Sequence, residues 1–202
     1  MAGIPLLLAS ASPRRADLLA QLGVAFQCQP AAIDETPLPG EDPGDYVQRM
    51  AAGKARVVAG QCSGKELAVL GADTTVVIDD DVLGKPRDHL EGLAMLARLA
   101  GRRHHVMTAV TLCSPMGEDT VLVKTDVEFA GLDRAQCEAY LATDEPWDKA
   151  GGYAIQGLGG AFVSRIDGSY SNVVGLPLLE TWHLLALHGV DTRLPAPAGD
   201  TR

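Results

Sequence analysis

The sequence predicts an α/β fold in which helices flank a mixed central sheet. Short apolar runs that are typical of buried strands alternate along the chain with segments whose apolar residues recur at helical spacing. One pair of strand-like runs is joined by a short polar turn, which adds an antiparallel hairpin to this alternating order. Together the two patterns indicate a sheet with both parallel and antiparallel strand pairs.

The N-terminal part is predicted as strand, helix, loop and helix. The apolar run at residues 4–9 is typical of a strand buried on both faces. Ser12-Pro13 then combines an N-cap residue with a proline at the first helical position, so a helix begins there. Residues 29–44 are rich in Pro, Gly, Asp and Glu and indicate a long loop, and helical spacing returns over 46–58.

The later elements are predicted from the same signals. Strands are expected at 67–70 and 74–78, with a return of the chain toward 82–83. Asp88 and Glu91 indicate a capping box for the next helix. The last predicted elements are a strand pair at 106–112 and 121–129 with its turn at 114–119, a helix at 133–141, a strand at 161–166 and a helix at 178–187.

Composition and charge exclude several classes of protein. The 202 residues suit one domain or two lobes that share a cleft, and 47% hydrophobic with 21% charged residues is ordinary for a globular chain. The net charge of −9 repels a polyanion, so broad nucleic-acid binding is disfavoured, although a small anion can bind where basic residues converge. The four cysteines form no C-x-x-C pair, which favours buried or half-buried free thiols over a zinc or redox motif.

The two ends of the chain give expectations about its location and its boundaries. The N-terminus, MAGIPLLLAS, has no basic n-region, and its apolar run is too short for a signal peptide or a membrane span. We therefore expect a cytoplasmic protein with no membrane partner. Residues 1–190 are expected to form one domain, and residues 191–202, which include LPAPAGDTR, a flexible tail.

The first candidate site is the turn between the first strand and the first helix, which holds Ser10, Ser12, Arg14 and Arg15. Free backbone N–H groups and the positive end of the helix dipole point at such a turn. Two hydroxyls and two guanidinium groups there would bind a phosphate group. The alternative is an ordinary N-cap followed by two solvated arginines.

Three further candidate sites hold carboxylates and lysines. Asp73-Thr74 lies at the end of an apolar run, where α/β folds place ligand chemistry, although a turn aspartate can also bond its own backbone. Lys85 lies between a glycine and a proline, in a segment that could equally be a plain loop. Glu35, beside an aspartate in the long loop, and Lys54 on the following helix complete the set, although such charges are usually solvated.

The glycine-rich segment 148–160 is the fifth candidate site, and it contains Gln156. Its glycines indicate backbone that approaches a ligand closely, or else a glycine-rich bend between strands. The sequence lacks a P-loop, a G-x-S-x-G nucleophile motif and metal-ligand spacing of histidines, and His104-His105 is assigned a structural role. What remains fits metal-assisted attack of water on a phosphate, with Asp73 and Glu35 as ligands for Mg²⁺.

Taken in their order along the chain, the segments that hold the candidate sites resemble the Maf family of nucleoside triphosphate pyrophosphatases. The resemblance extends from about residue 6 to residue 182. The matching pieces are ASASPRRADLLAQLG, the pair Asp34-Glu35, RMAAGKA around Lys54, LGADTTV, LGKPRD, DKAGGYAIQGLGGAFV and SNVVGLPLLET.

The resemblance implies an inosine-triphosphatase-like fold with two lobes around a cleft, a divalent cation such as Mg²⁺ or Mn²⁺, release of pyrophosphate, and often a homodimer. It makes Asp73 the catalytic acid or base, with Glu35 helping to hold the metal or the water. The residues that it implies for binding the triphosphate are Ser10, Arg15, Lys54 and Lys85.

Three positions point to one branch of the family. Arg14, Thr74 and Gln156 resemble the dTTP/UTP branch, whereas the branch that acts on 7-methyl-GTP usually has Trp, Gln and Glu there. An aromatic ring and a carboxylate suit the cationic base of 7-methyl-GTP, and a neutral amide can pair with the edge of uracil or thymine. The resulting hypothesis is hydrolysis of pyrimidine nucleoside triphosphates at the α-phosphate. The alternatives are the 7-methyl-GTP activity and a nucleotide-binding regulator of cell division or septum formation with little turnover.

Overall fold

A computed structural model describes residues 4–62, 64 and 66–196. Strands and helices alternate along most of this chain, as the spacing of apolar residues predicts. The strands are β1 (Leu6–Leu8), β2 (Phe26–Cys28), β3 (Ala68–Ile78), β4 (Asp81–Leu83), β5 (Arg103–Ser114), β6 (Gly117–Phe129) and β7 (Val163–Asp167). The helices are α1 (Pro13–Gln21), α2 (Pro43–Gln61), α3 (His89–Leu99), α4 (Arg134–Leu141), α5 (Tyr170–Val174) and α6 (Leu178–Leu187).

The strands form one mixed sheet in the order β2-β1-β3-β5-β6-β7, with β4 also paired to β3. β1 is parallel to β2 and to β3, and every other pairing is antiparallel. The prediction of an α/β fold with a mixed central sheet is therefore confirmed.

Two strands share one edge of β3 and leave a gap between them. β1 pairs with β3 as far as Leu70, and β4 pairs with it from Val76 onward. On the opposite edge, β5 pairs with β3 continuously from Val69 to Val77. Residues 71–75 of β3 therefore lie at an opening in the sheet edge.

The hydrophobic core is divided on either side of this opening. One cluster joins the β1 end of the sheet to α1 and α6, through side chains such as Leu8, Leu19 and Leu185. A second cluster joins the β4 end to α3 and α4, through side chains such as Leu96 and Phe129. The fold thus has two lobes, and the gap in the edge of β3 is the floor of the cleft between them.

Several local predictions need correction. The strands predicted at 67–70 and 74–78 are one strand, because the ladder with β5 continues through the residues between them. The capping box predicted at Asp88 is only half formed: its side chain accepts from the Glu91 N–H, but the Glu91 carboxylate accepts from the backbone N–H of Arg87. The polar turn between β5 and β6 is shorter than predicted, since Ser114 already pairs with Gly117.

Other differences concern elements and residues without a strong local pattern. The short strand β2 and the five-residue helix α5 were not predicted. Cys28 is exposed, contrary to the expectation for the thiols, whereas Cys62 and Cys113 are half-buried and Cys137 is buried. Of the predicted tail, residues 197–202 lie outside the described residues. None of the described helices is long and apolar enough to span a membrane.

The buried His104 gives a prediction about stability and pH. Its Nε2 lies 2.8 Å from the Tyr153 hydroxyl, and burial lowers the pKa of His104 to about 4. Protonation therefore favours the unfolded chain, in which the pKa is about 6.5. The free energy of unfolding should be highest above pH 6.5 and should fall by roughly 3 kcal/mol as the pH drops toward 4.

Denaturant melts at several pH values measure this dependence. His104→Gln, which cannot titrate, should flatten it, while His183→Gln, at an exposed position, should leave it as in the wild type. An unchanged pH dependence in the folded His104→Gln variant would show that another group is responsible.

Candidate active site

The cleft between the lobes is a cavity of about 520 Å³ that opens at the gap in the edge of β3. It brings together all the site residues that the sequence predicted. These are Ser10, Arg14, Arg15, Glu35, Lys54, Asp73, Thr74, Lys85 and Gln156. They come from six separate segments of the chain.

A lysine between two carboxylates occupies the centre of the cleft. Lys54 Nζ lies 2.6 Å from Asp73 Oδ1 and 2.7 Å from Glu35 Oε1. The Lys54 and Asp73 side chains are only 12% and 13% exposed, whereas Glu35 is 51% exposed. The hydrogen bond from Lys54 lowers the pKa of Glu35, and the charges of Lys54, Lys85 and Arg15 act in the same direction.

The close packing of α2 on β3 positions this lysine. A Cβ atom at Gly71 would lie 2.4 Å from the backbone oxygen of Ala51, so only glycine allows the helix to approach the strand this closely. Lys54 lies one turn further along α2, and Asp73 lies two residues further along β3. The same approach therefore brings the ammonium and the carboxylate together.

The two carboxylates fit the ligand preference of a divalent cation. Both direct an oxygen at the Lys54 ammonium, so Glu35 and Asp73 converge on one point of the cleft. The described residues contain no group of three or more His, Cys, Asp or Glu side chains that could hold a metal ion. A cation bound by this pair would take its other ligands from water and phosphate oxygens, which is how Mg²⁺ is commonly held.

The turn before α1, which the sequence predicts as an anion-binding corner, holds Ser10, Ser12 and Arg15 at one side of the cleft. Ser12 is at the N-cap position, but its side chain makes no capping bond, and its N–H donates instead to Ser10 Oγ at 3.1 Å. Arg15 donates from Nε to the carbonyl of Gly175 (2.9 Å), from Nη2 to Thr74 Oγ1 (3.0 Å) and from Nη1 to Ser10 Oγ (3.5 Å). Burial lowers the pKa of Arg15, and the charge of Asp73 opposes this shift.

The remaining predicted residues lie around the rim. Arg14 Nη1 is 3.6 Å from Asp148 Oδ2, a contact between α1 and the glycine-rich segment across the cleft. Lys85 and Gln156 are both exposed. The glycine-rich segment forms two short 3-10 turns, and the N–H of Gly151 donates to the carbonyl of Gly84 beside Lys85.

Some residues of the site were not predicted as functional. Tyr46 lines the cleft, and its hydroxyl donates to the backbone carbonyl of Glu35 at 3.0 Å. In the sequence it is simply an apolar position of a helix. Gly175 has a φ of 125°, which favours glycine. Its carbonyl accepts the hydrogen bond from Arg15, a residue 160 positions earlier in the sequence. Neither His104 nor His105 is among the residues that line the cleft.

Fold and site together define the class of this protein: a two-lobed α/β protein whose cleft combines cationic side chains for an anion with two adjacent carboxylates. Cationic and hydroxyl groups of this kind bind phosphate, and the carboxylates can hold a cation or take a proton. The family model described as Maf-like protein matches residues 5–188. The chain belongs to the Maf family, which confirms the resemblance found in its sequence motifs.

Several curated relatives share about half of their residues with this chain. A dTTP/UTP pyrophosphatase of Pseudoalteromonas atlantica is 55% identical over 185 residues, which cover 90% of this chain and 95% of the relative. Proteins of the same name from Anaeromyxobacter dehalogenans and Shewanella oneidensis are 54% and 51% identical, with 91% and 92% of this chain and 94% and 98% of the relatives covered.

Two solved structures are similar to part of the chain. One is a nucleoside-triphosphatase, also named dITP/XTP pyrophosphatase, from Mycobacterium abscessus, with 21% identity and a TM-score of 0.43 over 64% of this chain and 76% of that one. The other is the Ham1 protein of Staphylococcus aureus, with 13% identity and a TM-score of 0.45 over 62% and 72%.

Proposed function

We propose that this chain is a hydrolase that converts dTTP and UTP, and modified pyrimidine nucleoside triphosphates, to the monophosphate and pyrophosphate. Water attacks the α-phosphate, and the bond between the α- and β-phosphates breaks. The observation that carries the proposal is the pair Asp73 and Glu35 beside the anion-binding corner, in a chain about half identical to proteins named dTTP/UTP pyrophosphatase. An anion could be bound without two carboxylates at its side.

In this proposal the triphosphate lies between the two lobes. Ser10 and Arg15 bind it from the lobe that contains β1, α1 and α6, with charge-assisted hydrogen bonds from the guanidinium. Lys54 reaches it from α2, and Lys85 reaches it from the β4 side of the cleft. Arg14, Thr74 and Gln156 also line the cleft, and we assign them to the choice of base, with Thr74 lying beside Arg15 where base and triphosphate would meet.

Asp73 is the acid or base of the proposed reaction. Lys54 donates to its Oδ1, and no hydrogen bond joins its Oδ2 to another of the described residues. That oxygen is available to take the proton of the attacking water. When bound by Asp73 and Glu35, Mg²⁺ or Mn²⁺ would supply positive charge to the phosphate oxygens.

Pyrophosphate release across a panel of nucleotides tests the proposed activity. With Mg²⁺ or Mn²⁺ present, we expect turnover of dTTP and UTP, and little turnover of 7-methyl-GTP. Tight binding of UTP without release of pyrophosphate would instead support the regulator of cell division or septum formation. Preferential turnover of 7-methyl-GTP would assign the chain to that branch of the family.

The identity of residue 156 should influence the choice of base. We expect Gln156→Glu to lower the kcat/KM for UTP and to raise the ratio of 7-methyl-GTP to UTP efficiency about tenfold or more. A carboxylate has no N–H for a base carbonyl, and it attracts a cationic base; one such interaction is worth about 1.5–3 kcal/mol. Gln27→Glu makes the same change of charge at an exposed position outside the cleft and should leave the ratio unchanged. An unchanged ratio in folded Gln156→Glu would remove Gln156 from base recognition.

The remaining features of the proposal concern the protein as a whole. Residues 1–190 form its single catalytic domain. Its compartment is the cytoplasm, its assembly is a homodimer, and neither nucleic acid nor a membrane is its partner. The net charge of −9 supports the exclusion of nucleic acid, because it repels a polyanion.

A further inference from the structure

Arg15 is held from two directions by the same short segment of the chain. Its Nε donates to the carbonyl of Gly175, directly after α5. Its Nη2 donates to Thr74 Oγ1, and Thr74 Oγ1 lies 2.9 Å from Thr108 Oγ1. Thr108 Oγ1 in turn donates to the backbone carbonyl of Asn172, within α5, at 2.9 Å. The second path therefore also ends on α5.

The direction of the protons along this second path follows from the chemistry of its last member. A carbonyl oxygen can only accept, so the single hydroxyl proton of Thr108 is used on Asn172. Thr74 must then donate its own proton to Thr108. This leaves a lone pair of Thr74 Oγ1, and not its proton, facing the guanidinium of Arg15.

The far end of the path is anchored in the core. Asn172 is fully buried, and its Nδ2 donates to the carbonyl of Val106 (3.0 Å) and to Thr125 Oγ1 (2.9 Å). Thr108 is fully buried as well, on the central strand β5. Buried hydrogen bonds of this kind fix geometry, because breaking any one of them leaves a polar group without a partner.

We propose that Thr108 is a positioning residue for the reaction proposed above: it orients the Thr74 hydroxyl and so holds Arg15 against the triphosphate. Thr108 does not touch the substrate and acts only through Thr74 and Arg15. Without the Thr108 hydroxyl, the Thr74 O–H loses its acceptor and can turn its proton toward Arg15. The Thr74 O–H and an Arg15 N–H would then face each other as two donors. The inference rests on the proposed function, since it concerns the same site.

Thr108→Val tests this role, and the same strand offers a matched control. The substitution keeps the shape of the side chain and removes its hydroxyl. Thr111, also fully buried on β5, pairs with Thr120 Oγ1 at 2.8 Å and is not among the residues that line the cleft. We expect Thr108→Val to lower the kcat/KM for UTP about three- to tenfold, as for loss of one hydrogen bond between neutral groups. Thr111→Val should stay within about twofold, and Thr108→Ser should recover most of the activity.

A double-mutant cycle separates positioning from a general loss of structure. If Thr108 acts through Arg15, then adding Thr108→Val to Arg15→Ala should lower the kcat/KM for UTP by less than about twofold. Full additivity of the two losses would overturn the proposal. So would an unchanged kcat/KM in folded Thr108→Val, or an equal loss in Thr111→Val.

Two further measurements keep the test decisive. If Thr108→Val does not melt cooperatively, the smaller Thr108→Ala takes its place in the same cycle, with the same expected outcomes. If the wild type releases no pyrophosphate, the proposed function fails. The affinity for inorganic triphosphate, measured by calorimetry, then replaces kcat/KM: a loss confined to Thr108→Val supports the positioning of Arg15, and equal affinities overturn it.

Discussion

Replacing Asp73 by Asn is expected to lower turnover of UTP by about a thousandfold or more, while the melting temperature changes little. The amide oxygen can still accept from Lys54, so the packing of α2 on β3 is kept. The negative charge that would hold a cation or take a proton is lost, and general acid–base catalysis alone contributes about 10²–10⁴-fold. Pyrophosphate release and thermal melting, measured on the same preparation, give the two quantities.

The control for this variant is Asp17→Asn, which makes the same change of charge at an exposed position on α1. It should retain wild-type turnover. If folded Asp73→Asn turned over UTP within tenfold of the wild type, Asp73 would be a structural partner of Lys54 and not the catalytic group.

The second large effect is expected for Arg15→Ala, with a tenfold to hundredfold lower kcat/KM for UTP. A charge-assisted bond from a guanidinium to a phosphate is worth about 1.5–3 kcal/mol, which corresponds to this range. Removing the guanidinium also leaves the carbonyl of Gly175 without its donor and lets the Thr74 hydroxyl move.

Arg87→Ala is the matched control, because Arg87 is 85% exposed, does not line the cleft, and among the described residues forms its salt bridge with Glu91, one turn away on α3. Steady-state kinetics of both variants should show the loss in Arg15→Ala alone. An effect of less than twofold in Arg15→Ala would mean that this arginine does not bind the substrate.

Local sequence patterns predicted most of the elements, and together with the family resemblance they singled out nine residues that line the cleft. Apolar periodicity marks α2, β5 and β6 because each buries one face or both over many residues. The three-residue strand β2 has too few residues to show a period. Helix α5 lies in a segment whose polar residue, Asn172, is buried by tertiary contacts alone. Propensity and periodicity contain no information on such contacts.

The chemistry of the cleft could be predicted as a set of residue types but not as a set of contacts. Asp73 stood out at the end of an apolar run, Glu35 in a long loop and Lys54 on the helix after it. Only the close approach of α2 at Gly71 explains why Lys54 meets Asp73. The hydrogen bond from Arg15 to the carbonyl of Gly175 joins residues 160 positions apart in the sequence, so no local pattern predicts it. Thr108 was counted only as part of a strand for the same reason.

The shared strands β3 and β5 have a mechanical consequence for the way in which the enzyme can close. Many two-lobed enzymes close over their substrate by rotation about flexible connecting segments. Here β3 runs through both lobes, and its ladder with β5 is unbroken from Val69 to Val77. A rotation of one lobe against the other would have to break this ladder, so the rigid-body motion is limited to a twist of the sheet. Closure over a nucleotide is then left to side chains of the rim, such as Arg14 and Lys85, while the floor of the cleft keeps its shape through the catalytic cycle.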